Sequence, residues 1–261
     1  MLHIGVADCI QLVIHLYAGI ATICEFKETT YFEKFSGAIL NSNWIIMNFL
    51  ILVLAVNRVQ VLGEFSIISF WKPKLFYNAL AAICWCAGMC FCVAYLTPLV
   101  SMEYHDSDYY WSLEGDKEVV AILTEVEIGC TMTCLLTTFC IYVFICAILL
   151  VKGSVFLRNT RNVPKHELRV LAQAVIMFSY TMFLTVCWHW GQHFLPNSFW
   201  TPVAINILWI LDNGALSPIL YLIVNRSIRR KFIPWCRQGQ TVRVFYFVGG
   251  NKFAVTKIRL S

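Results

Sequence analysis

Charged side chains are scarce in this chain of 261 residues, and their scarcity excludes a soluble domain. They make up 13% of the residues, whereas a typical soluble protein has about 25%. The hydrophobic share is 59%. Six continuous apolar stretches each approach or exceed the roughly 20 residues that a helix needs to cross a bilayer. They cover about residues 4–24, 37–57, 76–100, 120–151, 170–192 and 201–224. Because these stretches are continuous and not alternating, the sequence predicts an all-α membrane bundle.

Other missing signals narrow the class of membrane protein. No helix carries an arginine ladder, which a voltage-gated channel would show. Neither internal repeats nor paired broken helices are found, although a transporter would show them. A six-helix transporter or channel stays open as the alternative to a receptor.

An intramembrane metal enzyme is a third, weaker alternative. His189 and His193 have the i, i+4 spacing of two zinc ligands on one helix, but the glutamate of His-Glu-x-x-His is missing and no third ligand is obvious. We therefore expect no enzyme activity, no cofactor and no metal, and no nucleic acid among the partners.

Basic residues lie almost entirely on one side of the predicted bundle. Seventeen of the 20 lysines and arginines fall in the loops 58–74 and 152–169 or after residue 224. Basic loops stay in the cytoplasm, so the acidic loop 101–118 is expected outside and the C-terminus inside. The bundle is expected to occupy residues 1–225. Residues 226–261 would then form a basic cytoplasmic tail with a short amphipathic helix.

The first span lacks a basic cytoplasmic flank. Six crossings with an inside C-terminus would place the N-terminus inside too, yet Met1 and Leu2 are already membrane-like. A signal peptide fits poorly, because a basic n-region is missing and Asp8 interrupts the apolar core. We therefore expect one further span upstream, so that six spans of a seven-helix bundle are present and the first is missing.

Polar residues form lengthwise stripes on three of the predicted helices. At 100° per residue they share one face of each helix. The stripes are Asp8, Gln11, His15, Gly19 and Thr22 in the first span, Asn41, Trp44, Asn48 and Arg58 in the second, and Asn206, Asn213 and Ser217 in the last. Such residues can simply hold helices together through hydrogen bonds. Three stripes in one chain favour a shared polar interior with a function.

Three segments carry a resemblance to a known family. They are GAILNSNWIIMNFLILVLAVNRVQVL from Gly37, KHELRVLAQAVIM from Lys165 and SPILYLIVNRSIRRK from Ser217. They resemble the nematode serpentine chemoreceptors, class T above its neighbours, within the rhodopsin-like G protein-coupled receptors. The resemblance covers about residues 1–233. It implies a chemosensory receptor of the plasma membrane that binds a small molecule and activates a heterotrimeric G protein.

The resemblance implies an effector and switch region at the cytoplasmic end. Asn57-Arg58 stands where the superclass has Asp-Arg, so Arg58 would meet the G protein, and Asn57 in place of the acid would weaken the ion pair of the inactive state. Alternatively, Arg58 only anchors the helix at the membrane surface. The segment from Ser217 resembles the Asn-Pro-x-x-Tyr switch. The resemblance implies that Pro218 kinks the helix and that the side chain of Tyr221 moves inward. Cys236 follows a basic stretch and is a palmitoylation candidate.

The outer half of the bundle is expected to hold the ligand. Trp188 follows Cys187 as in the Cys-Trp switch of the family's sixth helix, and we expect His189 beside it to line the pocket. The other expected pocket residues are Asn41, Trp44 and Glu125. Asp8, Asn213 and Ser217 resemble the sodium-linked polar core of the superclass. The superclass usually ties its second outer loop by a disulfide, but no cysteine occurs between residues 99 and 118.

Overall fold

The computed structural model describes residues 2–24, 30–63, 73–105, 110–156, 165–196, 198–224, 241–248 and 252–259. The chain divides into two compact units, Met1–Ser217 and Pro218–Ser261.

Helices dominate the first unit. They are α1 (Leu2–Ile23), α2 (Thr30–Gly63), α3 (Pro73–Tyr95), α4 (Lys117–Phe156), α5 (Lys165–Trp190) and α6 (Trp200–Leu211). Among the described residues, five helices, α1 to α5, are long and apolar enough to cross a membrane. The predicted last span is covered in succession by α6, a π-helical turn (Asp212–Leu216) and α7 (Ser217–Val224). The predicted helical membrane fold is therefore confirmed.

Helix α2 lies at the centre of the first unit. It packs against α1, α3, α4 and α5, and its side chains Ile45, Ile46 and Leu50 are buried. The approach of α3 depends on Gly88, where an added Cβ would lie 2.0 Å from Cγ1 of Ile46. Small residues at such crossings let membrane helices come close. Because every other long helix contacts α2, this helix can connect the two ends of the bundle.

A β-hairpin joins α3 to α4, where the sequence analysis expected only a loop. Its strands are β1 (Val100–His105) and β2 (Tyr110–Gly115), paired antiparallel from Val100↔Gly115 to His105↔Tyr110. The predicted third span ran to residue 100, but α3 ends at Tyr95 because Pro98 cannot continue a helix. Asp116 then caps α4, since its Oδ1 accepts hydrogen bonds from the amides of Glu118 at 3.0 Å and Val119 at 3.2 Å.

The hairpin rests on α1 and α2. The amide of Tyr104 donates to Oε1 of Glu33 at 2.5 Å, and the Tyr104 hydroxyl lies 3.2 Å from Oγ1 of Thr22. A Cβ at Gly37 would lie 2.6 Å from Cβ of Met102, so the hairpin lies directly against the backbone of α2. These contacts hold the hairpin in place. A disulfide cannot do so, because no cysteine occurs between residues 99 and 118.

The second unit contains another hairpin that the sequence analysis did not predict. Strands β3 (Thr241–Val248) and β4 (Lys252–Arg259) pair antiparallel from Thr241↔Arg259 to Val248↔Lys252. The predicted amphipathic helix and Cys236 lie outside the described residues.

Candidate functional site

Two cavities share walls at the hairpin end of the first unit. The volume open to the centres of water-sized molecules is about 60 Å³ in the first and about 510 Å³ in the second. Both are lined by Asn41 of α2, Trp188 of α5, and Met102 and Trp111 of the hairpin. Ligand pockets commonly have volumes of about 300–1,000 Å³, and the second cavity lies within this range. The hairpin therefore forms part of the wall of a space large enough for a small molecule.

Four of the five predicted pocket residues line these cavities. Trp44 lines the first and His189 the second, while Asn41 and Trp188 line both. The ring centroid of Trp44 lies 6.1 Å from that of His189 and 5.7 Å from that of Trp209. The structure thus brings together residues from α2, α5 and α6 that lie far apart in the sequence.

The expectation that Glu125 contributes to the pocket is corrected in favour of Glu127. The Glu125 side chain is exposed and lines neither cavity. Glu127 is only 7% exposed and lines the second cavity. Its Oε2 accepts hydrogen bonds from Nδ2 of Asn41 at 3.0 Å and from the hydroxyl of Tyr95 at 2.6 Å. Residues that are two positions apart in a helix are separated by a rotation of about 200°, so the two acids occupy opposite faces of α4.

Buried donors in the cavity walls lack partners. The indole nitrogens of Trp44 and Trp111 have no hydrogen-bond partner among the described residues. An indole N–H can only donate, and burying a donor without a partner costs about 1–3 kcal/mol. Nε2 of His189 is likewise without a partner within the described part of the chain. An acceptor atom on a bound molecule would relieve this cost.

A second polar cluster lies between α1 and the π-helical turn. Nδ2 of Asn213 donates to Oε1 of Gln11 at 3.2 Å. Asp8 and Asp212 interact electrostatically and are both buried. The structure therefore brings Asp8 and Asn213, two of the three predicted polar-core residues, into one region. Ser217 begins α7, and its side chain lies outside the description.

The sequence analysis missed the role of Asp212 in this cluster. Its Oδ2 accepts a hydrogen bond from Oγ1 of Thr181 at 3.2 Å, which ties the π-helical turn to α5. A signal was available, because an acid in an apolar helix normally faces the bundle interior. A π-helical turn cannot be inferred from the apolar pattern, and it is the turn that buries Asp212 beside Asn213.

The far end of α2 carries the predicted effector residues. Asn57 and Arg58 are half-buried. The Tyr77 hydroxyl of α3 donates to Oε1 of Gln60 at 2.5 Å and is also hydrogen-bonded to the side chain of Asn57. The charge of Arg58 interacts with the hydroxyl of Tyr142 on α4. Tyrosines from two neighbouring helices thus contact the segment that contains Asn57 and Arg58.

The predicted switch residues Pro218 and Tyr221 lie in α7, but their side chains are outside the described part of the chain. His189 and His193 do not form part of a metal site within the described residues, where no group of three or more His, Cys, Asp or Glu could hold a metal. His193 is exposed in a short 3-10 turn, Gly191–His193.

Comparison with known proteins identifies a family and a similar solved fold. The model of a family described as "Serpentine type 7TM GPCR chemoreceptor Srt" matches residues 1–243. The crystal structure of squid rhodopsin is similar, with a TM-score of 0.56 over 90% of this chain and 84% of that chain. The identity is 10%, so this likeness shows the fold alone. No curated protein sequence matches the chain.

Proposed function

The chain belongs to the serpentine type 7TM GPCR chemoreceptor Srt family, and we propose that a small ligand in the cavities at the hairpin end controls a heterotrimeric G protein bound near Arg58. The family consists of receptors and not of enzymes. The chain therefore belongs to the class of chemosensory G protein-coupled receptors.

The unpartnered donors in the cavity walls carry the ligand proposal. Trp44 and Trp111 are at most 7% exposed, and neither indole nitrogen has a hydrogen-bond partner among the described residues. A packing-only interior would normally satisfy or avoid such groups. Their position in the walls of a space of ligand size supports binding of a molecule with at least one acceptor atom.

Helix α2 supports coupling between the two ends. Trp44 lies in the cavity wall, and Arg58 follows 14 residues later in the same helix, a distance of about 21 Å along its axis. A ligand that binds two arrangements of α2 with different affinity shifts the balance between them. A shift of that kind would change the exposure of Arg58 to an effector.

The orientation of the receptor is also part of this proposal. The basic loops support a cytoplasmic Arg58 end and an extracellular hairpin in the plasma membrane. A transporter or channel is the alternative, but no observation on the described residues favours it over the receptor class of the family.

The test is a nucleotide-exchange assay on the purified full chain in lipid nanodiscs with a heterotrimeric G protein and a panel of small organic compounds. Trp44→Phe keeps a ring and removes the N–H, so it should weaken the response to an active compound. Trp85→Phe is the matched control, because its indole nitrogen is also buried without a described partner but lines neither cavity. Equal loss in both variants would contradict the ligand role. Solute uptake into vesicles without nucleotide exchange would contradict the receptor role.

A further inference from the structure

One carboxyl oxygen of Glu127 accepts no hydrogen bond from the described residues. Asn41 and Tyr95 both donate to Oε2, and no described residue donates a hydrogen bond to Oε1. Glu127 also lines the second cavity, of about 510 Å³. One oxygen of the carboxyl is thus held from two neighbouring helices, while the other is available for a molecule in the cavity.

No lysine or arginine among the described lining residues compensates this acid. The basic side chains in the walls are the imidazoles of His189, in the same cavity, and His15, in the cavity beside it. The two groups that bind Oε2, an amide and a phenol, are neutral donors. A buried carboxylate is costly unless it is paired with a positive charge. A ligand that supplies the positive charge would therefore bind more favourably than a neutral one, and a carboxylate or phosphate ligand would add a second negative charge.

Tryptophans surround the same space. Trp111 and Trp188 line the cavity that contains Glu127, and Trp44 and Trp209 line the cavity beside it. The face of an indole ring attracts cations, and it is the strongest of the aromatic side chains in this respect. The walls therefore combine one acid with several cation-attracting rings.

We infer that the cavity recognises a small protonated amine, whose ammonium group binds Oε1 of Glu127 and whose apolar body lies against Trp188 and Trp111. This inference rests on the proposed receptor function, because it specifies the ligand class of the same site. An acceptor oxygen elsewhere on the amine would satisfy the indole N–H of Trp111. The inference involves no covalent step.

The experiment compares three probes of similar size: phenethylamine, the neutral phenethyl alcohol and the anionic phenylpropanoate. Binding to the purified full chain in nanodiscs is measured at neutral pH by calorimetry. Phenethylamine should bind the wild type more tightly than the other two. Glu127→Gln should weaken its affinity by roughly 30-fold or more, as expected when a buried charge loses its partner, and leave the alcohol unchanged.

Two further variants keep the result interpretable. Glu125→Gln removes an acid two residues away on the exposed face of the same helix, so it should leave all three affinities unchanged. Glu127→Asp keeps the charge, so it should keep the preference for the amine even if the affinity falls. Equal affinities for the three probes, no binding of any probe, or an unchanged amine affinity in Glu127→Gln would overturn the inference. The last result would also follow if Glu127 bound its ligand as a neutral carboxylic acid.

Nucleotide exchange on the G protein, measured with the same probes, separates this inference from the proposed function. Amine binding that depends on Glu127 but causes no exchange would support the amine site and contradict the receptor mechanism. Exchange that is stimulated by the alcohol or the acid, and is insensitive to Glu127→Gln, would support the receptor mechanism and contradict the amine class.

Discussion

The hydroxyl of Tyr95 donates a hydrogen bond of 2.6 Å to Oε2 of Glu127 and so joins α3 to α4 in the buried interior. Tyr95 is fully buried, which leaves this hydroxyl no access to water in place of the carboxyl group. The same oxygen accepts the amide of Asn41 from α2. Glu127 therefore connects three helices, and we expect it to contribute to stability as well as to the cavity.

Tyr95→Phe should lower the free energy of unfolding by about 0.5–2 kcal/mol, because hydrogen bonds between membrane helices have contributions of this size. Tyr142→Phe is a matched control for stability: Tyr142 is also buried, but its hydroxyl has no hydrogen-bond partner among the described residues. That change should cost less than Tyr95→Phe, because it removes only the electrostatic interaction with Arg58 and no hydrogen bond. The measurement is unfolding of the purified protein in nanodiscs, with a double-mutant cycle that includes Glu127→Gln. A zero coupling energy between Tyr95 and Glu127 would contradict the contact.

The position of the hairpin should depend on Gly37. An added Cβ would lie 2.6 Å from Cβ of Met102 and 2.9 Å from its carbonyl oxygen, so Gly37→Ala should push β1 away from α2. Overpacking of this kind costs about 1–3 kcal/mol. We expect faster protease cleavage of the hairpin strands β1 and β2 and a weaker response to any active compound. Gly129→Ala is the control, because a Cβ there meets nothing within 4 Å. Equal cleavage rates in the two variants would show that the contact does not hold the hairpin.

The sequence was sufficient for the long helices, and four residues that it suggested for the pocket line the cavities. Continuous apolar runs bounded by charges identify membrane helices, and the stripe with Asn41 and Trp44 faces inward in the structure as its spacing suggested. The sequence pattern of α4 did not show which of Glu125 and Glu127 is buried. Helix α4 is apolar on nearly all sides, so its periodicity gives no reference face, and only packing against Asn41 and Tyr95 identifies the buried acid.

The hairpin was missed although the sequence carried a signal for it. Val100 and Met102 alternate with polar residues in β1, and Trp111 is buried on the same side in β2. Such alternation indicates a half-buried strand. The π-helical turn is different, because its position depends on tertiary contacts such as the bond from Thr181 to Asp212.

The orientation of the bundle can be tested by labelling. A peptide tag inserted after Asp106, between β1 and β2, should be labelled by antibody on intact cells. The reason is that 17 of the 20 lysines and arginines lie on the opposite side of the predicted bundle, and basic loops stay in the cytoplasm. A tag at the C-terminus is the control and should require permeabilisation. Labelling of the hairpin tag only after permeabilisation would reverse the orientation and remove the extracellular ligand site.

Arg58 offers the most direct test of effector coupling. Arg58→Ala should abolish G protein activation and leave surface expression nearly intact. Arg58→Lys separates the two roles that the sequence allows. A membrane anchor needs only a positive charge, which lysine supplies, whereas an effector contact can require the planar fork of donors that only arginine has. Lysine should therefore express normally and signal poorly. Full signalling from Arg58→Lys would leave Arg58 as an anchor.

Asn57→Asp tests the inactive state at the same end of α2. The side chain of Asn57 now bonds the hydroxyl of Tyr77, and an aspartate there would place a negative charge next to Arg58. Because the Tyr77 hydroxyl already donates its proton to Gln60, the carboxylate would also lose the donor by which Asn57 binds the Tyr77 oxygen. An ion pair formed only in the inactive arrangement shifts the ligand-free equilibrium toward it. Basal second-messenger production per surface receptor should therefore fall.

Tyr77→Phe is the companion variant, because it breaks the hydrogen bond between Asn57 and α3 and adds no charge. If both variants lower basal signalling equally, the effect comes from the lost Asn57–Tyr77 bond and not from an ion pair with Arg58.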